Sequence, residues 1–119
     1  MIKILIVDDE DMMREAAKPY FERKGYQVFY AGTGKDGLEV FKKEAPDITL
    51  LDLGLPDIDG KEVFIKMREL NRSSRIIVLT GFGEDEINKE IRLLGPDAYF
   101  TKPCKLPAVA DTIAQMVKT

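Results

Sequence analysis

The sequence predicts an α/β protein: an open, doubly wound parallel sheet with helices on both faces. Two observations lead there. Residues 2–7, 48–51 and 76–79 are short, β-branched-rich runs, apolar on both faces, as in strands buried on both sides of a parallel sheet. Between such runs, apolar residues recur at helical spacing. Five strand–helix units in strict alternation favour a parallel sheet with right-handed crossovers.

Each element has its own signal. Residues 2–7 are the first strand. A helix over 11–24 starts at Asp11, a suitable N-cap, and ends at Gly25, a favoured stop. Pro19 falls inside it, removes one backbone hydrogen bond and favours a kink. Residues 26–30 form a weaker second strand, and Leu38 and Phe41 mark the next helix. Residues 48–51 are the third strand. The following loop is shaped by Pro56 and its glycines, and Asp59 suits the N-cap of a helix bearing Val63, Met67 and Leu70. Residues 76–79 are the fourth strand, followed by a helix with Ile87, Ile91 and Leu94. Residues 98–101 form the fifth strand. Leu106, Val109, Ile113 and Met116 space the last helix.

The 119 residues suit one domain, 1–119, with no linker or repeat. A net charge of -3, from 18 basic and 21 acidic residues, disfavours direct nucleic-acid binding. The longest purely apolar runs have four residues, against ~20 for a membrane span. Asp8, Asp9 and Glu10 cut the N-terminal run short of a signal peptide. The lone Cys104 makes no internal disulfide, and a reducing cytoplasm is the expected location; as a thiol it reads as a small buried filler. The chain has no histidine, which excludes a Ser–His–Asp triad, histidine metal clusters and phosphohistidine on this chain.

In such sheets ligands bind beyond the carboxyl ends of the strands. Asp8, Asp9, Glu10 and Asp11 follow the first strand, Asp52 the third, Thr80 the fourth, and Lys102 and Pro103 the fifth. If strands one and three are neighbours, Asp8, Asp9 and Asp52 converge, and their repulsion calls for a hard cation. Magnesium suits such oxygen donors. A carboxylate nucleophile, a divalent cation, a lysine and a hydroxyl together describe phosphoryl transfer to aspartate. Taken singly, Asp52 reads as a loop residue, Thr80 as a strand end and Lys102 as a surface charge; joint placement at strand termini carries the functional reading. Asp57 and Asp59 suggest a calcium loop, but a frame on Gly60 would need acids where Leu55 and Lys66 stand.

A competing pattern is Gly32-Thr33-Gly34-Lys35-Asp36-Gly37, which matches the dinucleotide fingerprint G-x-G-x-x-G, with Asp52 20 residues past Gly32. It falls on the second β–α turn rather than the first, and leaves Asp8, Asp9, Thr80 and Lys102 without a role. A glycine-rich turn opening a helix explains it better. An oxidoreductase binding a nucleotide or flavin is the runner-up function.

Four motifs in order, Ile4-Leu-Ile-Val-Asp8-Asp9-Glu10, Leu50-Leu-Asp52-Leu-Gly-Leu-Pro56, Leu79-Thr80-Gly81 and Tyr99-Phe-Thr-Lys102-Pro103, resemble the receiver domain of two-component response regulators over essentially the whole chain. The resemblance implies a flavodoxin-like (βα)5 sheet of order 2-1-3-4-5 and magnesium-dependent phosphorylation of Asp52. It implies metal binding by Asp9 and Asp52, by Asp8 through water and by the Gly54 backbone carbonyl. Lys102 would contact the phosphoryl group, Thr80 would bond to it and move, and Tyr99 would be the aromatic switch. The Lys102–Pro103 peptide is expected to be cis.

The implied protein is a regulatory phosphoacceptor, not an enzyme in its own right. It is served by a sensor histidine kinase or a histidine phosphotransfer protein, and acts through helix four, strand five and helix five on an output domain or target outside this chain. Dimerisation on activation through that face is compatible with the sequence. Gly81 stands where the family often has alanine and should loosen the loop. Gly54 and Phe82 offer no polar side chain to orient water, so slow self-dephosphorylation is expected. A degenerate receiver serving only as an inert interaction module is the third reading; the intact set Asp8, Asp9, Asp52, Thr80 and Lys102 argues against it.

Overall fold

A computed structural model describes residues 1–81 and 85–118, apart from the side chains of 85–88. The elements are β1 (Lys3–Val7), α1 (Asp11–Arg23), β2 (Gln27–Ala31), α2 (Gly34–Glu44), β3 (Ile48–Asp52), α3 (Gly60–Leu70), β4 (Arg75–Thr80), α4 (Asp85–Leu93), β5 (Ala98–Thr101) and α5 (Leu106–Val117). All strand pairs are parallel and the sheet order is β2-β1-β3-β4-β5. This is the doubly wound, flavodoxin-like order, with the reversal between β1 and β3.

The continuous apolar runs are explained by two cores. Successive strand side chains point to opposite faces. Ile4 and Ile6 therefore join Ile48, Leu50, Ile77 and Leu79 under α1 (Ala17, Phe21) and α5 (Val109, Ile113). Leu5 and Val7 join Leu51, Ile76 and Val78 under α2 (Phe41), α3 (Val63, Phe64, Met67) and α4 (Ile91). Thr49 breaks the pattern: it is buried on β3 and its hydroxyl has no hydrogen-bond partner among the described residues.

The helix ends refine the sequence reading. Asp59 caps α3, its carboxylate accepting the Lys61 N–H at 3.0 Å. Gly25 ends the α1 turn at φ +95°, a left-handed conformation that favours glycine. Asp11 is not the N-cap of α1. Glu10 holds that position without a side-chain cap, because its carbonyl already accepts from the N–H groups of Met13 and Arg14. Its own N–H goes to Asp8 Oδ1 at 2.9 Å, and its carboxylate is drawn away to Lys102 at 3.1 Å. Pro19 lies within α1, which continues through it to Arg23. β2 begins one residue later than its apolar run suggests.

Parallel register brings the functional ends together. Val7 lies opposite Leu51, Asp52 opposite Leu79, and Thr80 opposite Thr101. Asp8, Asp52, Thr80 and Lys102 therefore emerge at one edge of the sheet.

Candidate functional site

Asp8 is fully buried and held on both sides. Its N–H donates to the Ala31 carbonyl at 3.0 Å, and its carbonyl accepts from the Tyr30 hydroxyl. Its carboxylate accepts from the Glu10 N–H through Oδ1 and from Lys102 Nζ through Oδ2, the latter at 2.8 Å. Asp52 ends β3, also buried, with Oδ1 accepting the Gly54 N–H at 3.1 Å. Lys102 Nζ reaches across to Asp52 Oδ2 at 3.2 Å and to Glu10 Oε1 at 3.1 Å. One ammonium thus bridges three carboxylates, two of them buried.

Carboxylate oxygens of Asp8, Asp9, Glu10 and Asp52 lie within 4.8 Å of one another. Burial pushes the Asp8 carboxyl above the usual range, and the Asp52 charge adds to this, against the pull of Lys102 and the Glu10 N–H. Burial alone would depress Lys102; the bond to Asp8 and the charges of Asp52, Asp8 and Glu10 outweigh it and hold the ammonium charged. An all-oxygen set with excess negative charge fits a hard divalent cation such as magnesium.

Thr80 is fully buried at the end of β4, its hydroxyl 3.4 Å from the Gly81 carbonyl. The Lys102 N–H donates to the Thr80 carbonyl at 2.6 Å, so the β4 and β5 ends are joined. The Lys102–Pro103 peptide bond is cis. Tyr99 is half-buried against the α2–α4 core. The Arg92 guanidinium stands 4.6 Å from its ring centroid, and the Tyr99 hydroxyl is buried with no hydrogen-bond partner among the described residues. Cys104 is half-buried against the α1–α5 core, with burial pushing its thiol up. Phe82 and Gly83 lie outside the described residues.

Two members of the neighbourhood were named by sequence reasoning but given no part in the site. Glu10 joins the carboxylate cluster and holds Lys102; its adjacency to Asp9 was the available signal. Asp57 sits on the loop after Asp52, where its carboxylate accepts the Gly34 N–H at 2.7 Å and the Lys35 N–H at 3.0 Å. Those bonds hold its carboxyl below the usual range. The G-x-G-x-x-G turn lies beside the edge strand β2, away from the strand-order reversal, and its helix start is met by Asp57.

A five-stranded 2-1-3-4-5 sheet with a lysine-bridged acidic pocket at its carboxyl edge belongs to the doubly wound, flavodoxin-like class, with its candidate site beside the strand-order reversal. A family model for the response regulator receiver domain matches residues 4–114. The chain is 36% identical over 111 residues to sporulation initiation phosphotransferase F of Bacillus subtilis, covering 93% of this chain and 90% of that protein. It is 30% identical to the chemotaxis protein CheY of Halobacterium salinarum, covering 97% and 96%. A CheY-like receiver domain from Methanospirillum hungatei JF-1 superposes with a TM-score of 0.93 at 30% identity, covering 99% of this chain and 94% of that one. The chain belongs to the response regulator receiver domain family, the regulatory phosphoacceptors of two-component signalling. No helix among the described residues is long and apolar enough to cross a membrane.

Proposed function

We propose that this chain accepts a phosphoryl group on Asp52, with magnesium held at the acidic cluster, and relays the change through α4, β5 and α5. The observation that carries the reading is the Lys102 ammonium placed 2.8 Å from Asp8 and 3.2 Å from Asp52, at the edge of four clustered carboxylates. Asp9 and Asp52 would hold magnesium directly, Asp8 through water, and Gly54 through its backbone carbonyl. Bound there, magnesium offsets charge on the transferring phosphoryl group.

The steps of the chain's own residues follow. An Asp52 carboxylate oxygen attacks phosphorus; the new O–P bond forms as the N–P bond of a partner's phosphohistidine breaks, and the imidazole leaves. Because this chain has no histidine, the donor lies outside it: the phosphohistidine of a sensor histidine kinase or histidine phosphotransfer protein, or a small phosphodonor. Lys102 exchanges its carboxylate partners for a phosphoryl oxygen, and the Thr80 hydroxyl donates to another. The added charge of about -1.5 to -2 gives Thr80 and Lys102 a new partner. Tyr99, its hydroxyl without a partner among the described residues, fills the space that Thr80 leaves. The shift is a population change between two packings, read by an output domain or target protein in the cytoplasm. Gly54 orients no water, which supports slow self-dephosphorylation.

Labelling with acetyl phosphate and magnesium tests the reading. Wild-type protein should be labelled and Asp52→Asn should not; labelling of the variant would move the acceptor elsewhere. Beryllofluoride with magnesium should shift the Thr80 and Tyr99 amide resonances. Unmoved resonances would leave only the inert module.

A further inference from the structure

The turn Gly32-Thr33-Gly34-Lys35-Asp36-Gly37 places no side chain in the acidic pocket, yet its N–H groups are arranged to receive an anion. A helix start offers unpaired N–H groups and a positive dipole end. Here three of those N–H groups are engaged. Thr33 caps Asp36 at 3.1 Å, while Asp57 takes Gly34 and Lys35 with its two carboxylate oxygens. The anion in this cradle is therefore the protein's own, supplied from 23 residues away.

The approach is close. A Cβ on Gly34 would lie 3.1 Å from Ile58 Cβ and 3.3 Å from Asp57 Oδ1. Further along α2, a Cβ on Gly37 would lie 2.9 Å from both methyls of Val7, so α2 is seated directly on β1, one residue before Asp8. At the other end of the loop, a Cβ on Gly60 would lie 2.6 Å from Leu53 Cα.

The loop between Asp52 and α3 is thus pinned at four places. The Leu53 N–H bonds to the Leu79 carbonyl at 3.0 Å, the Gly54 N–H bonds to Asp52, Asp57 bonds to α2, and Asp59 caps α3. Of these, only the Asp57 bonds tie the loop to a different helix. We propose that Asp57 is a positioning residue for phosphotransfer: by clamping the loop to α2, it fixes the Gly54 carbonyl against the Asp8–Asp9 arm, which α2 also supports through Val7. The inference rests on the phosphoacceptor reading above. Asp57 touches neither metal nor phosphoryl group; it acts through Gly54.

The test uses the whole chain with magnesium and acetyl phosphate. Removing the partner that orients a metal ligand costs ~10- to 100-fold in affinity, and one backbone ligand among several places Asp57→Ala at the lower end. Its magnesium Kd, by calorimetry, should rise ~10-fold, ~1.4 kcal/mol. Its labelling rate should fall at limiting magnesium and recover at saturating magnesium. Asp57→Asn, which keeps one acceptor oxygen, should recover part of the affinity.

In the wild-type protein, adding magnesium should shift the Gly34 and Lys35 amide resonances, a readout that needs no variant to fold. An unchanged Kd in a folded Asp57→Ala, or still Gly34 and Lys35 resonances while Gly54 responds, would overturn the clamp and leave the site reading intact. Failure of the wild type to bind magnesium would overturn both.

Discussion

Lys102→Met is the sharpest perturbation of this pocket. Methionine keeps most of the apolar stem, so packing is largely retained, and the change isolates the ammonium. That ammonium lies 2.8, 3.1 and 3.2 Å from Asp8, Glu10 and Asp52. The Asp8 side chain is wholly buried and that of Asp52 is 7% exposed. Removing one partner of a buried pair costs ~3–5 kcal/mol, because the remaining charge stays buried and unpaired. The Lys102 side chain is 17% exposed and Glu10 more than half exposed, so the lower end, ~3 kcal/mol, applies.

For 119 residues, the unfolding entropy is about 0.25 kcal/mol/K, so Tm in EDTA should fall by ~12 °C. Magnesium should narrow the gap to wild type, because in the variant no ammonium competes with it for Asp8 and Asp52. At about 100 times its Kd a bound cation contributes ~2.7 kcal/mol. Thermal unfolding followed by circular dichroism, with EDTA and with magnesium, reads both effects. A variant Tm within ~3 °C of wild type in EDTA, or a gap that magnesium leaves unchanged, would refute the reasoning.

Other side chains of this protein give further expected outcomes. Asp9→Ala should weaken magnesium binding by at least ~10-fold, and calorimetry giving an unchanged Kd would place the metal elsewhere. Thr49→Val should raise stability by ~1 kcal/mol, since an isosteric methyl replaces an unpaired buried hydroxyl; urea unfolding checks it, and a loss would mean the hydroxyl has a partner in solution. Asp57 has its folded carboxyl lowered by the Gly34 and Lys35 N–H groups. Its contribution to stability is therefore complete above the ordinary carboxylate range and is lost as pH falls through the lowered folded value. The acid-side slope of unfolding free energy should be shallower in Asp57→Asn than in wild type; equal slopes would show that the bonds do not persist.

Much of the architecture was legible because its signals are local. Apolar runs such as residues 76–79 show strands buried on two sides. The spacing of Val63, Met67 and Leu70 shows a helix, and Asp59 caps it where expected. The carboxylates were legible by position, since each follows a strand. The Asp11 cap lies one residue off because Glu10 and Asp11 are both acids, and the carbonyl that accepts the first helical N–H groups, from Met13 and Arg14, is that of Glu10.

The sequence by itself determined the alternation of strands and helices, the two-sided burial of the sheet, and which chemical groups stand at its carboxyl edge. Tertiary structure alone decided how those groups meet: that one Lys102 ammonium joins Asp8, Glu10 and Asp52, that Asp57 serves the start of α2, and that Thr49 and Tyr99 bury hydroxyls with no partner among the described residues. The division has a physical reason. Backbone periodicity and capping act over a few residues and leave their mark in neighbouring letters. Ion pairs and hydrogen bonds between elements depend on ångström-scale separations, which packing sets only after the sheet has assembled.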